Sequence, residues 1–176
     1  MILQKFALYP YSEETTRLYM KTTDDVVTDK EKVELKTLAK INLETYFNLF
    51  SCLKWKKYVG VESVYLRLKL NGIVKVKIDH LQVKDGDVER HGVLNEEIQS
   101  DASGYVTSNE FTLPEEGMLG VMIEAVSASV LYEVDFSTDQ TGLEENDICI
   151  GIGICTFKRE KYVERNMNLL KEGILN

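Results

Sequence analysis

From residue 1 to about 146 apolar residues recur mostly at every second position, the period of strands with one buried face and one wet face. The clearest stretch is SVYLRLKLNGIVKVKID, residues 63–79. Here Val64, Leu66 and Leu68 alternate with Tyr65, Arg67 and Lys69, and Val74, Val76 and Ile78 alternate with Lys75, Lys77 and Asp79. The pattern predicts a hairpin. A two-residue Asn71-Gly72 loop would set Leu68 opposite Lys75 and mix apolar with basic residues on one face. A three-residue loop of Leu70, Asn71 and Gly72, with Gly72 left-handed, pairs Leu68 with Val74, Leu66 with Val76 and Val64 with Ile78, leaving one face apolar.

Further strands are predicted in FALY, VELKT, KINLETYFNLF, HLQVK, MLGVMIEA and SVLYEVDFS. Turns are predicted at Asp85-Gly86-Asp87, His91-Gly92, Ser103-Gly104 and Glu116-Gly117. Many short strands separated by glycine turns predict a mostly β protein, an antiparallel jelly-roll-like β-sandwich. Asp85-Gly86-Asp87 has the D-x-D spelling of a metal site but the composition and place of a hairpin turn, and is read as a turn.

After Asp139 the pattern changes. DQTGLEEND is an acidic, glycine-containing connector, and residues 148–155 are apolar or glycine throughout, as in a strand buried on both faces of a parallel sheet. Thr156 can cap a helix, Glu160 suits its first turn, and Tyr162, Val163, Asn166, Met167, Leu169 and Leu170 recur near helical spacing before Gly173. The expected organisation is a sandwich domain over 1–146, followed by a C-terminal strand-turn-helix over 147–176 from a truncated α/β domain.

Charge and composition narrow the partners. A net charge of -8 argues against nucleic acid and anionic lipid, both polyanions. The basic run Lys54-Trp55-Lys56-Lys57 is read as a solvated strand end or loop. Cys52, Cys149 and Cys155 form no C-x-x-C pair and leave one over, so reduced thiols are expected rather than a disulfide framework or zinc site. His80 and His91 lack a third ligand at metal-site spacing. The N-terminus reads as a first strand rather than a signal peptide, and a cytoplasmic location is expected.

A strand that feeds a helix through a polar turn presents backbone N–H groups where α/β sheets hold anions. In that turn Thr156 offers a hydroxyl, and Lys158 and Arg159 offer positive charge, a set suited to a nucleotide's pyrophosphate. GIGICTFKREKYVERNMNLL resembles the first strand, turn and helix of a family 2 glycosyltransferase of the GT-A fold. LETYFNLFSCLKWKKYVGVESVYLRLKLNG resembles the N-terminal β-sandwich of the polymerising galactofuranosyltransferases. Thr45, Tyr46, Phe47, Asn48, Phe50, Trp55, Val64, Leu66, Leu68 and Gly72 stand in that family's pattern.

The resemblance implies that Thr156 and Arg159 contact uridine diphosphate and that Phe157 holds the turn, while Lys158 replaces the Asn common there. It implies a complete enzyme that moves galactofuranose from a UDP-sugar to a growing cell-surface glycan, peripheral to the inner face of the membrane. Such an enzyme uses a divalent metal, Mg or Mn, on a D-x-D that has no counterpart here. The chain itself is therefore expected to hold no cofactor and to be inactive. Its expected partners are its own missing catalytic domain and a second copy of the chain. Tyr46 and Trp55 are candidate sugar-stacking rings, with Tyr46 expected to face opposite to Phe47 and to share a face with Asn48. The competing expectation is that both rings pack in the core or against the next domain. The alternative for the whole chain is a free-standing β-sandwich that binds carbohydrate or protein.

Overall fold

The alternation over residues 63–79 belongs to one strand, not to a hairpin. In the computed structural model, which describes residues 1–8, 16–29, 31–143, 158 and 160–171, Ser63–Lys84 is a single 22-residue strand. Val64, Leu66, Leu68, Leu70, Val74, Val76 and Ile78 all point inward and are fully buried. Parity explains the correction. Residues an even number apart share a face whether the chain runs straight or returns through a three-residue loop, so both arrangements satisfy the pattern. Gly72 does adopt a positive φ of 121°, but at a bulge, where pairing with the neighbouring strand slips between Leu70 and Gly72. A Cβ at Gly72 would lie 2.7 Å from the Cβ and 2.8 Å from the Cα of Ser129, so no other residue fits without displacing that backbone.

The chain divides into two compact units, Met1–Glu145 and Asn146–Asn176. In the first the elements run β1 (Ile2–Lys5), α1 (Thr16–Tyr19), β2 (Lys21–Thr22), β3 (Val26–Thr28), β4 (Val33–Leu35), β5 (Lys40–Asn42) and β6 (Phe50–Ser51). They continue through α2 (Cys52–Val59), β7 (Ser63–Lys84), β8 (Asp87–Thr107), β9 (Phe111–Thr112), β10 (Met118–Ala125) and β11 (Ser129–Ser137). Asp85 and Gly86 form a two-residue turn, both with positive φ, that pairs Lys84 with Asp87 and sends β8 back along β7.

The other edge of β7 is shared. Its first half, Tyr65 to Asn71, pairs with β11, and its second half, Val74 to Leu81, pairs with β10. On its edge away from β7, β11 carries β4 with β3 at its start and β1 at its end, whereas β10 carries β5 with β2, and β6. The long ribbon, bulged at Gly72, thus serves two sheets whose apolar faces form one core, an antiparallel jelly-roll-like sandwich. Phe6, Phe50, Phe111 and Phe136 interlock in that core, Phe50 and Phe136 with ring centroids 4.6 Å apart. Burial of such rings is the main stabilising term, at roughly 25 cal/mol per Å² of apolar surface.

Other expectations also need correction. His91-Gly92 and Ser103-Gly104 are not turns but positions inside β8 beside register slips, where Ile78 pairs with Leu94 but Asp79 with Gly92, and Leu70 with Gly104 but Gly72 with Ser100. HLQVK is the end of β7, and the first strand is Ile2–Lys5 rather than FALY. KINLETYFNLF is not one strand: β5 stops at Asn42 and β6 starts at Phe50. The basic run around Trp55 lies in helix α2 rather than in a strand end or loop. Ser51 caps that helix by accepting from the Lys54 N–H at 3.4 Å, and Gly60, at φ 78°, closes it through N–H bonds to the Lys56 and Trp55 carbonyls. MLGVMIEA and SVLYEVDFS are strands as expected.

In the second unit helix α3 (Glu160–Lys171) begins with Glu160 in its first turn, where a carboxylate favours the helix dipole. The predicted strand over 148–155 and the residues Thr156, Phe157 and Arg159 lie outside the described residues. Among the described residues no helix is long and apolar enough to cross a membrane.

Candidate functional site

The segment between β5 and β6 carries the family-like residues Thr45, Tyr46, Phe47 and Asn48, and its geometry follows from their hydrogen bonding. The Asn42 side-chain oxygen accepts from the Glu44 N–H at 2.7 Å, and the N–H groups of Asn48 and Leu49 both donate to the Thr45 carbonyl at 3.0 Å. Backbone groups spent on local bonds cannot join a sheet ladder, so the strand ends and a turn forms. Two buried side chains then anchor that turn. The Thr45 hydroxyl donates to the Tyr19 carbonyl at 2.7 Å. The Asn48 amide donates to the carbonyls of Tyr19, at 2.6 Å, and Ala7, at 2.9 Å, and its oxygen accepts from the Ala7 N–H at 2.7 Å.

With Thr45 and Asn48 turned inward, Tyr46 and Phe47 turn outward together. Tyr46 is 80% exposed, and its ring meets Phe47 edge to face at 5.1 Å. Phe47 leans on Tyr19 at 4.7 Å, and its N–H donates to the carbonyl of exposed Leu18 at 3.1 Å. The expectation that Tyr46 opposes Phe47 and shares a face with Asn48 is therefore corrected, because it assumed strand geometry. The result is a rigidly backed aromatic knob. Sequence reasoning missed Phe47, Leu18 and Tyr19 as its members, although Thr45 and Asn48, three apart and both able to bond backbone, signalled a turn.

Trp55 is placed differently. It is half-buried in α2, stacked on core residue Phe50 at 5.9 Å with the planes 11° apart, and the Lys54 ammonium stands 5.2 Å from its ring centroid. Its indole N–H is buried without a hydrogen-bond partner among the described residues. Trp55 thus extends the core, whereas Tyr46 is displayed; their ring contacts are separate.

Groups suited to covalent or metal chemistry are scarce. Among the described residues no three His, Cys, Asp or Glu side chains converge as metal ligands. The Cys52 thiol is fully buried, and burial pushes its pKa up to about 12, so the nucleophilic thiolate is disfavoured. Thr156, Phe157 and Arg159, the expected nucleotide contacts, lie outside the described residues.

Several solved structures match parts of the chain. The C-terminal CBM6 of LamC, a marine laminarinase from Zobellia galactanivorans, matches with 9% identity and a TM-score of 0.39 over 70% of this chain and 94% of that one. The CBM22-1-GH10 modules of xylanase 10B from Clostridium thermocellum, complexed with xylohexaose, match with 11% identity and a TM-score of 0.39 over 76% of this chain and 26% of that one. The CBM22-1 xylan-binding domain from Paenibacillus barcinonensis Xyn10C matches with 14% identity and a TM-score of 0.34 over 66% and 78%. No curated protein matches the chain. The family model described as galactofuranosyltransferase 2 N-terminal matches residues 4–135, from β1 into β11 and through the whole knob and ribbon. The chain belongs to the galactofuranosyltransferase 2 N-terminal family.

Proposed function

We propose that this chain is the N-terminal part of a galactofuranosyltransferase-like glycosyltransferase, with the sandwich as an accessory domain and residues 147–176 as the opening of the catalytic domain. The family match over residues 4–135 carries this reading. The complete enzyme transfers galactofuranose from its UDP-sugar to a growing cell-surface glycan, in the cytoplasm at the inner face of the membrane. Thr156, Phe157 and Arg159 take the uridine diphosphate. The Mg or Mn that such an enzyme uses would sit on a D-x-D of the catalytic domain proper.

Within this scheme the knob of Tyr46 and Phe47 docks the catalytic domain. Exposed rings held by buried Asn48 lose little freedom on association, which is the condition for an interface anchor. Assay of the longer protein with UDP-galactofuranose, Mg or Mn and a galactofuranosyl acceptor tests the reading. Transfer by the long form and none by the 176-residue chain is expected. Transfer by this chain alone, or none by a long form that carries a D-x-D, overturns it.

The 80% exposure of Tyr46 favours a second reading, a free-standing module in which that ring stacks on sugar. Glycan-array binding that Tyr46→Ala abolishes and Trp55→Ala leaves intact would select it.

A further inference from the structure

The outer face of the first half of β7 carries a second, different set of rings. Tyr105 on β8 lies beside Lys69 of β7, which on its far side lies beside Glu133 of β11, and the Tyr105 ring leans over β7. The Arg67 guanidinium packs 4.4 Å from the ring centroid and the Lys69 ammonium 5.9 Å. Arg67 is itself fixed by a two-pronged pair with Asp135, at 2.8 and 3.0 Å, and Asp135 is 1% exposed and also accepts from the Ser137 hydroxyl. The guanidinium therefore backs the ring from the sheet side. Tyr105 nevertheless stays 49% exposed. Tyr132 flanks Lys69 on the other side at 5.8 Å, and the Tyr65 hydroxyl donates to Asp139 at 2.8 Å.

Charge decides what such a platform can take. The cations Lys5, Arg67 and Lys69 are matched by the carboxylates of Glu133, Asp135 and Asp139, with Lys5 3.7 Å from Glu133. The face calls for neither an anion nor a cation. A flat ring with one open side accepts the C–H face of a sugar, and fixed charged groups around it donate to and accept from hydroxyls.

The geometry points to this face, centred on Tyr105, as a binding site for a neutral oligosaccharide, a hand-hold for glycan on the accessory domain apart from the Tyr46 knob. The identity of that glycan as a galactofuranose chain rests on the proposed function; the site does not.

Isothermal titration and amide chemical-shift mapping of the 176-residue chain test it, with a galactofuranosyl tetrasaccharide, xylohexaose and anionic oligogalacturonate as probes. Expected are binding of a neutral probe, shifts centred on Arg67, Lys69, Tyr105 and Tyr132, and an affinity loss of at least tenfold in Tyr105→Ala but under threefold in Tyr105→Phe. An unchanged thermal midpoint in Tyr105→Phe shows that the scaffold survives. Binding of xylohexaose alone supports the site and counts against the galactofuranose assignment. No binding of either neutral probe, shifts centred elsewhere, unchanged affinity in Tyr105→Ala, or preference for oligogalacturonate each overturns the site.

Discussion

The two halves of the β7–β8 ribbon share one inner face and differ on the outer one. Inside, Val64, Leu66 and Leu68 of the first half and Val74, Val76 and Ile78 of the second are equally buried. Outside, the first half lays the rings of Tyr105 and Tyr132 on the cations of Arg67 and Lys69. The second half carries no Tyr, Phe or Trp among the described residues: Lys77 pairs with Asp79 at 2.8 Å, Arg90 with Glu44 at 2.6 and 2.7 Å, and Glu44 lies over Gly120. A cavity of about 160 Å³ beside them is lined by Lys40, Lys75, Lys77, Asn95, Met122 and Glu124. The inner row obeys the requirement of a sandwich to bury one face. The outer rows are free of that requirement, which is why they can differ.

The bulge that joins the halves offers the hardest test. Gly72→Val must both hold a φ of 121° and push a branched side chain into Ser129, whose Cα is 2.8 Å from the Cβ position. Left-handed strain and overpacking together are worth about 4 kcal/mol. Gly104→Ala, on the neighbouring strand with open space around its Cβ position among the described residues, should stay within about 0.5 kcal/mol. Urea unfolding of the two variants measures both. Equal losses would mean that the halves are not joined through this contact.

Next in size is the ion pair under the Tyr105 ring. Arg67→Met strands the Asp135 carboxylate, 1% exposed, and should cost about 3 kcal/mol, the usual penalty for unpairing a buried charge. On the other half, Lys40→Met removes a pair with Glu124 that solvent reaches from both sides, worth less than about 1 kcal/mol. The same unfolding assay ranks them. A larger loss at Lys40 would erase the distinction between the faces.

The shared inner side makes a pH prediction. Cys52 is fully buried, and its thiol pKa is pushed from 9.0 to about 12 by burial. A folded pKa above the unfolded one means that the folded state holds the proton more tightly. The associated stability is complete below pH 9 and is lost as pH rises from 9 towards 12, at up to about 1.4 kcal/mol per pH unit. At pH 10 the parent should therefore lose about 1 kcal/mol more than Cys52→Ala does, by thermal or urea unfolding. Equal losses would show that water reaches the thiol.

How much of this was legible differs by element for physical reasons. β10 and β11 could be read directly because each is short, alternating and bounded by turn residues. β7 could not, because even spacing survives both a bend and a straight passage through Gly72. The knob hid in an apolar alternation that Thr45 and Asn48 override with local hydrogen bonds. Helix α2 was signed by Ser51 and Gly60 at its two ends, but its basic run drew attention instead. That Tyr105 of β8 leans over Arg67 of β7, with Asp135 of β11 behind it, depends on strand order, which alternation does not encode.

Rings supply the smallest and most discriminating test. Tyr105 has a guanidinium 4.4 Å from its ring centroid, so Tyr105→Ala should cost about 1 kcal/mol, the worth of a partly desolvated cation–π contact. Tyr46 meets Phe47 edge to face and is 80% exposed, so Tyr46→Ala should change stability by less than about 0.5 kcal/mol. A ring that contributes so little to its own fold, yet is displayed by a turn with two buried polar anchors, is free to meet a partner. Its loss should leave unfolding curves superimposed and act instead on transfer by the longer enzyme, where the docking reading puts it. Destabilisation beyond 1 kcal/mol in Tyr46→Ala would make the knob a structural prop and remove that reading.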